Sequence, residues 1–144
     1  MARLKDTLHK VSTGGHRLIF KASKGRLFGR LLGMAVVELV TIGRKSGKKR
    51  RTMLTVPIAE PDRLVLVASF GGDDRHPTWY LNLRSNPRVQ VTGVGRSRTM
   101  VGRTASDEER AELWPKIVAS SPVYASYQKR TSRKIPVVLL ERPG

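Results

Sequence analysis

The stretch AVVELVTIGRKSGKKRRTMLTVPIA, residues 35–59, contains two apolar segments joined by a strongly basic turn. The segments AVVELVTI (35–42) and RTMLTVPIA (51–59) are rich in Val, Leu and Ile, which favours β-strands. Residues 41–54 hold three lysines and three arginines, interrupted by two glycines and a serine. The sequence therefore predicts two buried strands around a short turn, Gly43 to Lys49, whose concentrated charge needs a reason.

The segments that follow extend this β-rich pattern. RLVLVASF (63–70) and IPVVLLE (135–141) predict further strands, and RVQVTGV with RSRTMVGRTA predicts a hairpin near Gly93 and Gly95. PTWYLNLRS predicts a short helix with Pro77 in its first turn. About six mainly antiparallel strands with peripheral helices indicate a small α+β barrel rather than a doubly wound parallel sheet.

Two further helices are predicted near the C-terminus. Ser106 followed by Asp107-Glu108-Glu109 has the pattern of a capped helix start, with acidic side chains in the first turn. Pro115 is expected to bend or restart this helix. A second short helix is expected to begin at Pro122.

Composition limits the function classes. The chain has 144 residues, which fits one domain, and a formal net charge of +17, which attracts polyanions such as nucleic acid, acidic membranes or phosphorylated small molecules. It has no cysteine, so disulfides, Cys-ligated metal and thiol catalysis are excluded. No apolar run approaches the roughly 20 residues of a membrane span, and a cytoplasmic protein is expected.

Residues 1–34 are expected to form a basic amphipathic arm ahead of the domain at 35–144. Leu4, Leu8 and Val11 have helical spacing, whereas Gly14-Gly15 interrupts any long helix. Such an arm either packs on its own domain or lies on an anionic membrane surface. The sequence leaves both open.

A search for familiar catalytic sets finds none. His9, His16 and His76 are too few and too scattered to predict a metal site, so no metal is expected. Hydrolytic Ser motifs and Gly-rich phosphate loops are absent. The sequence does not indicate acid–base hydrolysis.

The basic turn GRKSGKKRR is the best candidate for binding. Gly43 and Gly47 permit positive φ, so successive backbone N–H groups can form an anion-binding nest. The alternative is an ordinary charged hairpin turn whose lysines discourage edge pairing. The side chains that suit phosphate are Arg44, Lys45, Ser46 and Arg50.

Further along the chain, the fragments GRKSG, VASFGG, HPTWYLNLRSNPRVQV, ASDEERAELWPKIV and SPVYASYQKRTSRKIPVVLLE occur in this order. Together they resemble the deazaflavin-dependent nitroreductases, an actinobacterial family of F420H(2)-dependent oxidoreductases. The resemblance covers roughly residues 35–142 and implies a split β-barrel of the FMN-binding type. It also implies coenzyme F420 as cofactor, a deazaflavin with a phospholactyl-oligoglutamate tail.

The resemblance implies a role for each matching position. The turn is expected to bind the phosphate and acidic tail, and Lys48 and Arg51 to extend the cationic surface. The positions implied to bind the cofactor are Arg44, Lys45, Ser46, Gly47, Lys49, Arg50, Met53, Thr55, Val67, Ala68, Ser69 and Trp79. Those implied to contact the acceptor during catalysis are Ser69, Tyr124 and Tyr127, with Thr55 nearby.

Several of these residues have a purely structural alternative. Trp79 lies on a short predicted helix and is equally explained as a core residue. Tyr124 and Tyr127 share a helical face and, without the resemblance, are expected to anchor the core. Met53 and Thr55 replace a proline and a tyrosine of relatives, and Ser121 replaces a further tyrosine, so the pocket is expected to be more open and less aromatic.

The function implied is hydride transfer from C5 of reduced F420 to an electron-poor acceptor. The acceptors considered are unsaturated esters or lactones of coumarin or aflatoxin type, quinones and nitroaromatics. The alternatives are a non-catalytic F420- or lipid-binding member of the same fold and, less favoured, a nucleic-acid-binding module, because aromatics do not alternate with the cations. A monomer or homodimer is expected, with peripheral membrane contact of the arm left open.

Overall fold

The computed structural model of the protein describes residues 30–31 and 34–144. Their strands form one eight-stranded sheet, and the pairings are antiparallel. The order across the sheet is β1-β2-β6-β7-β8-β5-β4, and β3 pairs with β2 off this path. The strands are β1 (Arg30–Leu31), β2 (Met34–Ile42), β3 (Lys49–Val56), β4 (Ile58–Ala59), β5 (Arg63–Val67), β6 (Arg88–Gly93), β7 (Arg96–Thr104) and β8 (Val137–Glu141).

The described residues include three α-helices, which lie outside the sheet: α1 (Thr78–Ser85), α2 (Asp107–Ser120) and α3 (Val123–Lys129). A 3₁₀ turn, Phe70–Gly72, follows β5. The sheet curls so that β3 also lies beside β5. The predicted α+β barrel is confirmed, whereas the predicted arm lies outside the described residues apart from 30–31 and 34.

The β2–β3 ladder places alternate residues on opposite faces of the sheet. Its register pairs Val37 with Leu54 and Leu39 with Thr52, and these positions face the interior of the barrel. The intervening pair, Glu38 with Met53, faces the other way because side chains alternate along a strand. The basic turn is therefore held at one end of an eight-residue-pair ladder.

Two apolar clusters fill the two faces of the sheet. The barrel cluster packs α1 against the sheet interior and includes Val37, Leu39, Leu64, Leu66, Trp79, Tyr80, Leu83 and Leu140. The helix cluster packs α2 and α3 against the opposite face and includes Met34, Val65, Val67, Leu113, Ile117, Tyr124, Ile135 and Leu139.

Several predicted bounds were wrong for identifiable reasons. The segment 51–59 starts earlier, at Lys49, and is interrupted at Pro57, because proline has no N–H to donate to a ladder. The strand predicted at 63–70 ends at Val67, since Phe70 adopts φ 47° and Gly71 φ 64°. The closing strand starts at Val137, after Pro136, rather than at 135.

The helix and hairpin predictions were largely confirmed. Pro77 is the N-cap of α1, and Val94-Gly95 forms a two-residue hairpin turn with φ 55° and 81°. Helix α2 continues through Pro115 without restarting. Its N-terminus has a complete capping box, in which Ser106 Oγ accepts from Glu109 N–H at 3.1 Å and Glu109 Oε1 accepts from Ser106 N–H at 2.9 Å.

We expect Ser106→Ala to lower the free energy of unfolding by about 1 kcal/mol, because it removes the hydroxyl that accepts from Glu109 N–H. The measurement is urea unfolding followed by circular dichroism. Ser126→Ala, an exposed helical serine in α3, is the matched control and should change the free energy by less than about 0.5 kcal/mol. Equal effects of the two substitutions would contradict the capping role.

Candidate functional site

The basic turn, residues 43–48, has a defined backbone. Gly47 has φ +71°, a conformation that favours glycine. Gly43 does not have positive φ, contrary to the prediction, and is required for another reason. A Cβ at Gly43 would lie 2.6 Å from the Ser46 hydroxyl oxygen, so any larger residue would push Ser46 away.

Most backbone amides of the turn donate to acceptors within the protein, whereas those of an open anion-binding nest are free to bind a ligand. Four of them donate within the protein: Gly43 to Lys48 O (2.8 Å), Gly47 to Gly43 O (2.8 Å), Lys48 to Ser46 Oγ (3.2 Å) and Arg44 to Asn82 Oδ1 (3.1 Å). Among the described residues, the amides of Lys45 and Ser46 have no acceptor. The predicted nest is thus reduced to two adjacent N–H groups at the tip of the turn.

The side chains of the turn present unneutralised charge. Arg44, Lys45, Lys48 and Lys49 are exposed, and none of them forms an ion pair with a described carboxylate. Arg50 donates to Ser46 Oγ at 3.3 Å, which holds this guanidinium beside the turn without neutralising it. A cluster of cations that lacks internal partners suits a multiply charged anion.

Arg51 departs from this pattern. Its Nη1 lies 3.0 Å from Glu38 Oε1, and Glu38 is only 5% exposed. Arg51 therefore neutralises a buried carboxylate, and its contribution to the cationic surface stays a prediction. Glu38 Oε2 has no hydrogen-bond partner among the described residues.

Asn82 anchors the turn to the body of the protein, a role the sequence did not indicate. This residue of α1 is 2% exposed and accepts from Arg44 N–H, while its Nδ2 donates to Thr41 Oγ1 at 3.3 Å. An asparagine inside a short helix carries no motif, and only the folded structure brings α1 to the end of β2. The position of the turn thus depends on β2, β3 and α1 together.

Thr55 and Tyr124 are brought together as the resemblance implied. Their hydroxyl oxygens lie 2.8 Å apart, and Tyr124 Oη also lies 3.8 Å from Met34 Sδ. Tyr124 is 4% exposed, and burial raises the pKa of its phenol, opposed by the hydrogen bond to Thr55. The phenol therefore remains protonated near neutral pH. Met53 is half-buried on the same strand face as Thr55.

Tyr127 is the more accessible of the two tyrosines. It is half-buried and meets Tyr124 edge-on, with ring centroids 6.0 Å apart. The guanidinium of Arg130 lies 5.6 Å from its ring centroid. Tyr127 can therefore offer its hydroxyl at the surface of the helix cluster, while Tyr124 anchors that cluster.

Ser69 lies between β5 and the 3₁₀ turn and is half-buried. Its hydroxyl makes no hydrogen bond to a described residue and is available as a donor. Its carbonyl accepts from Gly72 N–H at 2.9 Å and from Arg133 Nη2 at 2.9 Å. Arg133 was not singled out by sequence, because an isolated arginine in a polar segment carries no signal.

Trp79, Val67 and Ala68 are buried in the cores. Trp79 is 7% exposed and meets Tyr80 edge-on at 6.2 Å, within the barrel cluster. Val67 belongs to the helix cluster and Ala68 to the barrel cluster. All three therefore pack in the cores, which for Trp79 was the structural alternative, and any contact of theirs with a cofactor stays a prediction.

In residues 34–144, no group of three His, Asp or Glu side chains is placed to hold a metal ion. No helix in the described part of the chain is long and apolar enough to cross a bilayer.

Comparison with known proteins identifies the family. The chain matches the F420H(2)-dependent quinone reductases over residues 15–142. An F420H(2)-dependent quinone reductase of Mycobacterium tuberculosis is 40% identical over 134 residues, which cover 88% of this chain and 87% of that protein. A putative F420H(2)-dependent quinone reductase of the same species is 37% identical over 97 residues, covering 67% of this chain and 81% of that protein.

Solved structures agree. The structure of an F420-H2 dependent reductase, FDR-A, is 40% identical with a TM-score of 0.66, and the match covers 74% of this chain and 93% of that one. A structure described as a domain-swapped dimer has the same identity and TM-score, and the match covers 74% of this chain and 79% of that one.

The fold is thus a split β-barrel that carries an exposed cationic turn, the class of a cofactor-dependent oxidoreductase. The chain belongs to the F420H(2)-dependent quinone reductase family, and its cofactor is coenzyme F420. The turn fits this cofactor, because its unpaired cations and two free amides match a phosphate with an acidic tail.

His76 provides a pH-dependent reporter of the segment after Ser69. Its Nδ1 lies 3.3 Å from Arg133 Nη1, and its ring lies 5.0 Å from that of Tyr80. Arginine can only donate, so Nδ1 accepts and the ring is neutral with its proton on Nε2. Burial, then the charges of Arg133 and Arg84, lowers the pKa of His76 below 6.5.

A lowered folded-state pKa means that the unfolded chain binds the proton more readily. The stabilisation by neutral His76 should therefore be complete above about pH 6.5 and decline as the pH falls towards the folded-state pKa. We expect the difference in unfolding free energy between wild type and His76→Asn to be larger at pH 7.5 than at pH 5.5. Urea unfolding at the two pH values measures it, and a pH-independent difference would contradict this assignment.

Proposed function

We propose that the protein reduces quinones with coenzyme F420, and that the basic turn (43–48), with residues 49–50 at the start of β3, holds the phosphate and acidic tail. The observation that carries this proposal is the family match over residues 15–142, joined to a cationic turn that pairs with no carboxylate of the described residues. When bound, reduced F420 supplies a hydride from C5, and with one proton the quinone becomes a hydroquinone.

The turn contributes affinity and orientation. The two free amides are those of Lys45 and Ser46, and the side chains of Arg44 and Lys45 adjoin them in sequence. Charge and hydrogen-bond donors therefore converge at one tip. Arg50 donates from Nη2 to Ser46 Oγ at 3.3 Å, which places its guanidinium beside the same tip. Charge-assisted bonds of this kind are roughly twice as strong as neutral ones.

The ring is assigned to the face of β3 that carries Met53 and Thr55. That face is half-buried, and Thr55 is fixed there by its 2.8 Å contact with Tyr124. A smaller residue than the tyrosine of relatives leaves room for a wider acceptor. Val67 belongs to the helix cluster on this face, whereas Ala68 and Trp79 belong to the barrel cluster on the other face.

The acceptor is assigned to the side bearing Ser69 and Tyr127. Negative charge develops on the quinone oxygen during reduction, and a donor placed there stabilises the transition state by about 3–4 kcal/mol in comparable sites. Ser69 and Tyr127 are the more accessible hydroxyls, whereas Tyr124 is committed to Thr55. The proton is assigned to one of these hydroxyls or to water.

Charge reversal in the turn tests cofactor binding. We expect Arg44→Glu with Lys45→Glu to raise the Kd for F420 at least tenfold at low salt, because attraction to the tail becomes repulsion. The measurement is a fluorescence titration of F420. Affinity for the deazaflavin riboside, which lacks phosphate and tail, should change little.

The matched control is Arg88→Glu with Lys116→Glu, which alters net charge equally at exposed positions in β6 and α2. It should raise the Kd less than about threefold, as expected of screened long-range charge. Equal weakening by both double variants would assign the effect to the overall field and remove the turn from the site.

Removal of the hydroxyls tests catalysis. We expect Tyr127→Phe and Ser69→Ala each to lower kcat for a water-soluble quinone by about tenfold or more, with the Kd for F420 nearly unchanged. The reaction is followed by the absorbance of the oxidised coenzyme. Tyr80→Phe, which removes a hydroxyl bonded to Thr104 Oγ1 at 2.8 Å in the body of the fold, is the matched control.

Normal turnover in both Tyr127→Phe and Ser69→Ala would refute the assigned acceptor side. The same assay with coumarin-type lactones, aflatoxin-type lactones and nitroaromatics tests the acceptor class. A kcat/KM for any of these at least tenfold above that for quinones would overturn the quinone assignment.

A further inference from the structure

The segment after Ser69 has an unusual backbone that something must hold. Phe70, Gly71 and Gly72 have φ values of 47°, 64° and 83° in succession. Positive φ is uncommon for a bulky residue such as Phe and persists where surrounding contacts impose it. The segment also abuts α3, since a Cβ at Gly72 would lie 2.7 Å from the Tyr127 carbonyl oxygen.

The Arg133 guanidinium binds this segment at several points. It is half-buried, and three backbone carbonyls and one ring nitrogen converge on it. The contacts are Nε to Asp73 O (2.8 Å), Nη2 to Ser69 O (2.9 Å), Nη2 to Ala68 O (3.2 Å) and Nη1 to His76 Nδ1 (3.3 Å). Both sides of the positive-φ turn are thus tied to one planar group.

Arg133 is itself tied to the helix that carries the tyrosines. Gln128 of α3 donates from Nε2 to Arg133 O at 2.8 Å. The Oε1 of Gln128 accepts from Ile135 N–H and from Arg110 Nη2, each at 3.0 Å. The connection from α3 through Arg133 to Ser69 is therefore continuous and made of hydrogen bonds.

We propose that Arg133 is a positioning residue that fixes Ser69 relative to Tyr127 and thereby sets the geometry of the acceptor side. This inference rests on the proposed function. Arg133 acts through the backbone of residues 68–73 and does not touch the acceptor. A further bond, from Arg130 Nη1 to Gly71 O at 3.3 Å, supports the same turn from the exposed side.

Arginine is required at this position because of its shape. Its planar fork donates in several directions at once, whereas the compact ammonium of lysine cannot reach carbonyls spread over residues 68–73. We therefore expect Arg133→Lys to fold but, like Arg133→Gln, to hold the turn at residues 68–73 less tightly. Full rescue by lysine would show that charge alone is needed and would overturn the proposal.

The first test does not require activity. The amides of Gly72 and Asp73 donate to Ser69 O (2.9 Å) and Phe70 O (3.1 Å), so their hydrogen exchange reports the turn. We expect the amides of Gly72 and Asp73 to exchange at least tenfold faster in Arg133→Gln. If the glutamine variant does not fold, the same result is expected of Arg133→Lys. Lys134→Gln, with the same charge change at the neighbouring residue, should leave exchange unchanged, because Lys134 pairs with the exposed Asp107. Unchanged exchange in both Arg133 variants would overturn the proposal.

The second test is a double-mutant cycle with Ser69→Ala, measured as kcat/KM for a quinone. If Arg133 acts by placing Ser69, we expect Ser69→Ala to cost at least tenfold in wild type and less than threefold in the Arg133→Lys background. Additive losses, with the wild type active, would overturn the positioning role while leaving the proposed function intact. A wild type inactive with every acceptor would instead reject the proposed function, and hydrogen exchange would still decide whether Arg133 holds the turn.

Discussion

The candidate site depends on a turn in which like charges are held close together without compensation from the rest of the described protein. Four exposed cations, with Arg50 beside them, are fixed at the end of the β2–β3 ladder. Repulsion among them opposes this arrangement, and salt screens it only in part at such short range. The ladder and the bond from Arg44 N–H to Asn82 hold the turn in place. In the proposed function, binding of the acidic tail of the cofactor relieves that repulsion, which makes the turn the centre of the functional assignment.

The proposed acceptor side is held together by hydrogen bonds rather than distinguished by a cluster of like charges. Its hydroxyls belong to α3 and to the segment after β5, and hydrogen bonds between backbone and long polar side chains join these two elements. The guanidinium of Arg133 there meets carbonyl oxygens and a neutral histidine ring. In the proposed function this side takes an uncharged acceptor such as a quinone, whereas the turn takes the charged end of the cofactor.

The sequence predicted the regular parts of the fold because they follow from local patterns. Val-rich segments became β2, β5 and β8, and the Ser106 capping box formed as expected. Bounds failed where a proline or a positive φ ended pairing, as at Pro57 and Phe70. The function was reached through the resemblance and the turn, since no residue pattern outside them indicated redox chemistry. Asn82 and Arg133 could not be predicted, because their roles arise from contacts between residues far apart in the chain.

The most direct test of the central claim is a titration of isotopically labelled protein with F420, followed by amide chemical shifts. The account predicts that the amides of Lys45 and Ser46, the two without an internal acceptor, show the largest downfield changes. The riboside lacking phosphate and tail should leave both unchanged while perturbing residues around Met53 and Thr55. Saturable F420 binding that leaves the amides of residues 43–50 unperturbed would contradict the account.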